Sequence, residues 1–233
     1  MSSAVNVAFV VEGQTDFVVL RAVVRALLNG RDFESNVLQP ELSESLLAQG
    51  HGGWGGVYRW CRQAVDQANG SLRQNPLLDL YDVVILQIDA DVKDYSYADY
   101  EIEDPPTDLP FKFKQPCPPA RATTDALRLV MLGWLNEITI PPRTILCTPS
   151  QTIETWVLAA LAPNDFTKKK PIECQRGIEM KLRKHGLITS SQKLVAKYAE
   201  REKEIGVAWP QVREKCAEAE RFSQEFREQI PSK

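Results

Sequence analysis

Two short apolar runs that stop at carboxylates limit what this chain can become. The first is Val5 to Gly13, V-N-V-A-F-V-V-E-G, which continues into Q-T-D. The second is Asp82 to Asp91, D-V-V-I-L-Q-I-D-A-D. Val, Ile and Phe in near-continuous runs suit strands buried on both faces, as in a parallel sheet. Ligands of open parallel sheets sit beyond the carboxyl ends of the strands. Glu12, Asp89 and Asp91 are therefore expected together at one sheet edge. Three carboxylates so placed repel one another unless a cation lies between them. A donor set made only of oxygen favours Mg²⁺ or Mn²⁺.

Strand and helix signals alternate along the first two thirds of the chain. From Asp16 to Asn29, apolar residues at Phe17, Leu20, Val23, Val24, Leu27 and Leu28 repeat at helical spacing. Thr15 is the expected N-cap and Gly30 the expected stop. The helix follows Glu12-Gly13 directly, so its first N–H groups face the same edge and suit a phosphate. N-V-L-Q at 36–39 reads as a short strand ended by Pro40. Five glycines in Gln49 to Gly56 predict a flexible loop, with His51 in it facing water or a substrate phosphate. That loop lacks the Lys-Ser/Thr of a P-loop. Val57 to Asn69 reads as a helix with Trp60 in its buried stripe. Thr123 to Glu137 is a helix, Arg143 to Cys147 a buried strand, and Gln151 to Leu161 a helix with Glu154 in its first turn. Glu154 is thus placed to approach the acidic edge, either as a site residue or as a partner of the helix dipole.

Between these elements, Val92 to Pro119 holds six prolines and many acids. No regular helix fits it. It reads as a loop inserted after the acidic strand, with Lys93, Lys112 and Lys114 in reach of a substrate and Asp94 beside the acidic cluster. After Pro163 the composition changes. Residues 1–163 carry 12 Lys+Arg against 20 Asp+Glu, a balance of −8; residues 164–233 carry 16 against 11, a balance of +5. Within 168–197 the ratio is 9 to 2. The segments 178–185, 192–204 and 211–229 read as charged helices. The division expected is an α/β domain over 1–163, with the 92–119 insertion, and a basic helical appendage over 164–233. Lys168, Lys169, Lys170, Arg176, Lys181, Arg183 and Lys184 then form a surface for nucleic acid. A solvated helical face accounts for the same charge count.

The Glu12-Gly13 and Asp89-Ala90-Asp91 pattern resembles the Toprim fold, in which a Glu ends the first strand and an Asp-x-Asp ends a later one. The longer E-G-Q-T-D form, with Asp16 four residues after Glu12, is similar to the Toprim domains of overcoming-lysogenization-defect nucleases and of small standalone Toprim-like proteins near bacterial defence genes. The resemblance spans about residues 5–160. It implies a mostly parallel sheet flanked by helices and metal-dependent cleavage of nucleic-acid phosphodiesters, DNA or RNA. It also implies an antiviral context and a possible ATPase partner. Glu12, Asp89 and Asp91 would be the catalytic centre. Asp16 and Glu154 would join them as metal ligands or as hydrogen-bonding support. Glu12 serves as ligand or as general base in this resemblance, and the sequence leaves both open.

Other classes fit less well. No apolar run reaches the roughly 18 residues of a membrane span, and the N-terminus lacks the marks of a signal peptide, so a cytoplasmic protein is expected. Five scattered cysteines without a C-x-x-C pair, and two histidines, argue against zinc. Most of the cysteines are expected reduced. Haloacid-dehalogenase-like phosphatases place Asp-x-Asp after the first strand, and Lys93 stands where they carry Thr or Val. Glycosyltransferases would need a nucleotide-sugar signature that is missing. No tyrosine is assignable as a covalent nucleophile, so hydrolysis fits better than strand passage. The alternative from another class is a catalytically silent Toprim-like subunit that binds a partner ATPase or nucleic acid.

Overall fold

In the computed structural model, residues 4–40, 52–102, 105–106, 117–189 and 192–230 are described, without the side chains of Lys93 and Asp94. His51, Lys112 and Lys114, expected near substrate, lie outside the described residues. Among the described residues, β1 (Val5–Val10), β2 (Phe33–Gln39), β3 (Val83–Gln87) and β4 (Thr144–Cys147) form one sheet in the order β2-β1-β3-β4. Every pairing is parallel. The chain is α/β, as its alternation predicts. β3 and β4 are buried throughout, which explains their unbroken apolar sequence. The edge strand β2 exposes Glu34 and Ser35, a polar edge that discourages pairing with another chain.

Alternate strand residues face opposite ways, and two cores result. Val7, Phe9, Ile85 and Ile145 point into one; Ala8, Val10, Leu86 and Leu146 into the other. The second core is closed by α2 (Gly53–Asp66), the short turn α3 (Leu77–Leu80) and α4 (Ala120–Trp134). The first is closed by α1 (Gln14–Leu28), α5 (Glu154–Leu161) and α6 (Ile178–Lys184), together with α7 (Val195–Glu200), α8 (Glu202–Lys215) and α9 (Ala217–Gln229). Tyr198, Trp209, Phe222 and Phe226 of the basic tail are buried in the same cluster as β1 and α1. Trp209 meets Trp156 edge to face, with ring centroids 5.4 Å apart. The tail thus joins α1 and α5 in closing this face of the sheet.

Several local expectations change. The glycine-rich stretch is not a loop over its whole length, for α2 begins at Gly53. A Cβ on Gly53 or Gly55 would run into the Tyr100 ring, so these glycines serve close packing rather than flexibility. Trp60 is only partly buried, and Trp54, at 2% exposure, takes the core position. Thr15 does not cap α1. Gly13 is the N-cap and Thr15 lies inside the first turn, its Oγ1 donating to Asp16 Oδ2 at 3.4 Å. Gly13 leaves room for that carboxylate, since a Cβ there would sit 3.0 Å from Asp16 Oδ2. α8 continues through Pro210 to Lys215. Proline lacks the N–H that Gly206 would otherwise receive, yet burial of Ile205, Trp209 and Val212 holds the helix together. Cys61, Cys147 and Cys216 are free and buried, whereas Cys117 and Cys174 form a disulfide with Cα atoms 5.4 Å apart. Two 3-10 turns, Ala90–Asp94 and Tyr97–Tyr100, lead into and begin the Val92–Pro119 stretch. Among the described residues no helix is long and apolar enough to cross a membrane.

Candidate active site

The carboxyl edge of the sheet collects the acids from four elements. Glu12 follows β1, Asp16 lies in the first turn of α1, Asp89 and Asp91 follow β3, and Glu154 opens α5. Gln87, the last residue of β3, is fully buried and ties two strand ends together. Its Nε2 donates to Asp89 Oδ1 at 2.9 Å, and its Oε1 accepts the Glu12 N–H at 3.2 Å. Glu12 Oε1 in turn accepts the Asp89 N–H at 2.6 Å. Asp89 Oδ1 also accepts the Ile153 N–H at 3.0 Å, so one carboxylate secures the entry to α5. The Asp91 N–H donates to Gln151 O at 2.9 Å, and the Asp91 side chain is half-buried.

Glu154 is fully buried. Its Oε1 receives Lys193 Nζ at 2.7 Å and the Tyr198 hydroxyl at 3.3 Å. Its Oε2 is buried without a partner among the described residues, as is Asp16 Oδ1. Unsatisfied buried oxygens cost about 1–3 kcal/mol each, more when charged. The protonation of the group reflects this. Burial, then Asp16, push the Glu12 carboxyl up to about 8, against the lowering effect of the Asp89 N–H. Burial also raises Asp16 to about 6, with Lys193 opposing it and Glu154 adding to it. Asp89 is raised well above the carboxylate range by burial and by Asp16, Glu12 and Glu154. Burial alone would lower Lys193, but Glu154, Asp16 and Asp89 outweigh it and hold the ammonium firmly charged.

Lys193, Tyr198 and Gln87 are the members that sequence reasoning missed. Lys193 is one of nine cations in a basic stretch, and nothing in its neighbours marks it as the partner of a buried acid. It reaches Glu154 because Leu194 N donates to Leu187 O at 3.0 Å and Lys193 bridges to Ile188. The expected basic residues divide. Arg176 and Arg183 share a pocket of about 650 Å³ with Asp91. Lys170 and Lys181, with Arg176 again, line a second of about 540 Å³. Lys168, Lys169 and Lys184 are exposed and line neither.

The donor chemistry suits a hard divalent cation, because the acids are oxygen donors and two of their buried oxygens lack partners. The side chains are nevertheless not gathered on one point. Among the described residues no group of three or more His, Cys, Asp or Glu is close enough to hold a metal ion as placed. Glu12 and Asp89 are turned to backbone N–H groups, and Glu154 to Lys193. As placed, the arrangement can hold protons near neutral pH. No protein-family model matches this sequence, no curated protein is detectably similar to it, and no solved structure is detectably similar to its fold.

Proposed function

We propose that the protein is a divalent-metal-dependent nuclease. The observation that carries this reading is the set of acids from four elements at the carboxyl edge of a parallel sheet, with Asp16, Asp89 and Glu154 buried and Glu12 and Asp91 half-buried, two of whose oxygens have no partner among the described residues, opening at Asp91 onto a pocket that also holds Arg176 and Arg183. Glu12, Asp89 and Asp91 would hold Mg²⁺ or Mn²⁺, with Asp16 and Glu154 supporting through their unpartnered oxygens. When bound, the metal neutralises phosphate charge and activates water.

The protein's own groups supply the rest. Glu12, fixed by its Oε1 on the Asp89 N–H, serves either as a ligand or, in place of that, as the general base. Gln87 fixes Glu12 and Asp89 relative to each other. Lys193 keeps a permanent positive charge beside the acids and limits their mutual repulsion. Arg176 and Arg183 orient a polyanion toward Asp91. The resemblance of E-G-Q-T-D and D-A-D to Toprim nucleases supports the same reading, and through it a cytoplasmic place in antiviral defence.

A second reading rests on Lys193. An internal cation already satisfies part of the acidic cluster, as a silent subunit that binds an ATPase or nucleic acid would require. Cleavage assays separate the two. With Mn²⁺, wild type should cut single-stranded or duplex nucleic acid, and EDTA or Glu12→Gln should stop it. Undiminished cutting by Glu12→Gln in combination with Asp89→Asn would remove the nuclease reading.

A further inference from the structure

The two pockets form one trench. Gln151, Gln175 and Arg176 line both, so the path runs from Asp91 past Tyr95 to Arg176 and on to Lys170. Each volume falls in the range of about 300–1,000 Å³ typical of enclosed ligand sites. The lining changes in character along the path. Tyr95 is 46% exposed and Met180 66% exposed, two apolar surfaces directly after the acid. Arg176 and Arg183 share this pocket with Asp91 and Glu179, and Lys170 and Lys181 join Arg176 in the other, which no acid among the described residues lines.

Tyr95 stands apart from its neighbours. Tyr97 and Tyr100 pack on Trp54, at centroid distances of 5.8 and 4.7 Å, and belong to the core. Tyr95 takes no part in that cluster and presents its ring at the trench. Arg176 is also exceptional. Arg21, Arg128, Arg143 and Arg221 are all ion-paired, whereas Arg176 has no hydrogen bond or ion pair among the described residues. Gln175 beneath it is buried and braces the lysine turn. Its Oε1 accepts the Thr167 N–H at 3.0 Å, and its Nε2 donates to Thr167 O at 2.8 Å and Lys170 O at 2.9 Å. An exposed ring followed by Arg176 and Lys170 on a braced backbone suits a base followed by its phosphates. A duplex hides its base faces in the stack, while a single strand offers them.

We propose that this trench binds an unpaired nucleic-acid strand, with one base stacked on Tyr95 beside Asp91 and the adjoining phosphates on Arg176 and Lys170. The proposal rests on the nuclease reading for its direction toward Asp91, and it names the substrate as single-stranded. The test is fluorescence anisotropy with short labelled oligonucleotides, single-stranded and duplex, as DNA and as RNA, in EDTA so that nothing is cut. The better single strand should bind about tenfold more tightly than its duplex. Tyr95→Ala should lose about tenfold on that strand, and Tyr95→Phe should retain the affinity. Arg176→Ala should reduce the salt slope by about 0.7. Duplex binding equal to or tighter than both single strands, or Tyr95→Ala binding like wild type with an unchanged melting temperature, would overturn the proposal. A parallel Mn²⁺ cleavage assay keeps the two claims apart. No cutting with Tyr95-dependent strand binding intact removes the nuclease and keeps the trench. Cutting of duplex with Tyr95-independent binding removes the trench and keeps the nuclease.

Discussion

The protein buries carboxylates in two places, and they are built differently. Glu173, 4% exposed, lies where the basic tail turns back toward the sheet, and both its oxygens are used. Oε2 accepts the Ala217 N–H at 2.8 Å and Oε1 the Glu218 N–H at 2.9 Å, so it caps the first turn of α9. The neighbouring backbone is fastened too, with Ser150 Oγ donating to Glu173 O at 2.7 Å. At the sheet edge, by contrast, Asp16 and Glu154 each leave one buried oxygen without a partner. A structural carboxylate satisfies its lone pairs within the fold. Glu225 Oε2 is also buried without a partner among the described residues, but its other oxygen is paired with Arg128 and Arg221; the two open oxygens of the sheet edge lie among further acids, and the proposed metal site rests on them.

The comparison breaks most sharply in activity. Glu12→Gln or Asp89→Asn should reduce Mn²⁺-dependent cleavage by at least about 10³-fold with the circular dichroism spectrum and melting retained, whereas Glu173→Gln should leave cleavage close to wild type. Equal losses in the two places would erase the distinction. The next effect is on stability. Lys193→Met strands Glu154 in the core and should cost about 3–5 kcal/mol in urea unfolding. Adding Glu154→Gln to it should recover much of that loss. A Lys193→Met protein as stable as wild type would show that the pair carries no weight.

The pH dependence of stability sharpens the contrast further. Burial raises Glu173 to about 7, opposed by the two N–H groups it accepts from. Its folded pKa lies above the unfolded value of 4.5, so the folded state binds the extra proton and stability falls as pH rises from about 4.5 to 7. The loss is up to about 3 kcal/mol. Glu12 and Asp16 act with the same sign, across windows ending near 8 and 6. Lys193, whose pKa is raised, stays charged throughout this interval and adds no slope. Thermal melting from pH 4 to 8 should therefore decline without metal. Mn²⁺ should flatten the part due to the sheet edge and leave the Glu173 part, which Glu173→Gln should remove. A decline that Mn²⁺ does not touch would contradict a cation site at the edge. The smallest effect belongs to the lysine turn. Neutralising Lys168, Lys169 and Lys170 should weaken nucleic-acid binding and lower the salt slope by less than about 0.7 for each residue, since only Lys170 lines the trench. An unchanged slope would exclude the turn from the interface.

What the sequence revealed follows from the range of each signal. Strand identity in Val5–Val10 and Val83–Gln87 comes from local apolar continuity, and the position of Glu12, Asp89 and Asp91 at one edge follows from parallel pairing. Helical spacing revealed α1 and α4 to within a few residues. The features that escaped depend on contacts across long separations. Lys193 meets Glu154 from 39 residues away, and Cys117 meets Cys174 from 57. Gly53 and Gly55 look like a loop until Tyr100 is placed against them. Pro210 looks like a break until Trp209 and Val212 are seen buried. Local pattern cannot register an ion pair or a packing contact that only the finished fold creates.

The most direct measurement is calorimetric titration of Mn²⁺ into wild type and into an Asp89→Asn/Asp91→Asn variant, repeated with a single-stranded oligonucleotide present. Saturable heat from wild type and none from the variant is the expected result. Absence of binding by both, with and without the oligonucleotide, would contradict the metal-dependent nuclease and leave the silent binding subunit.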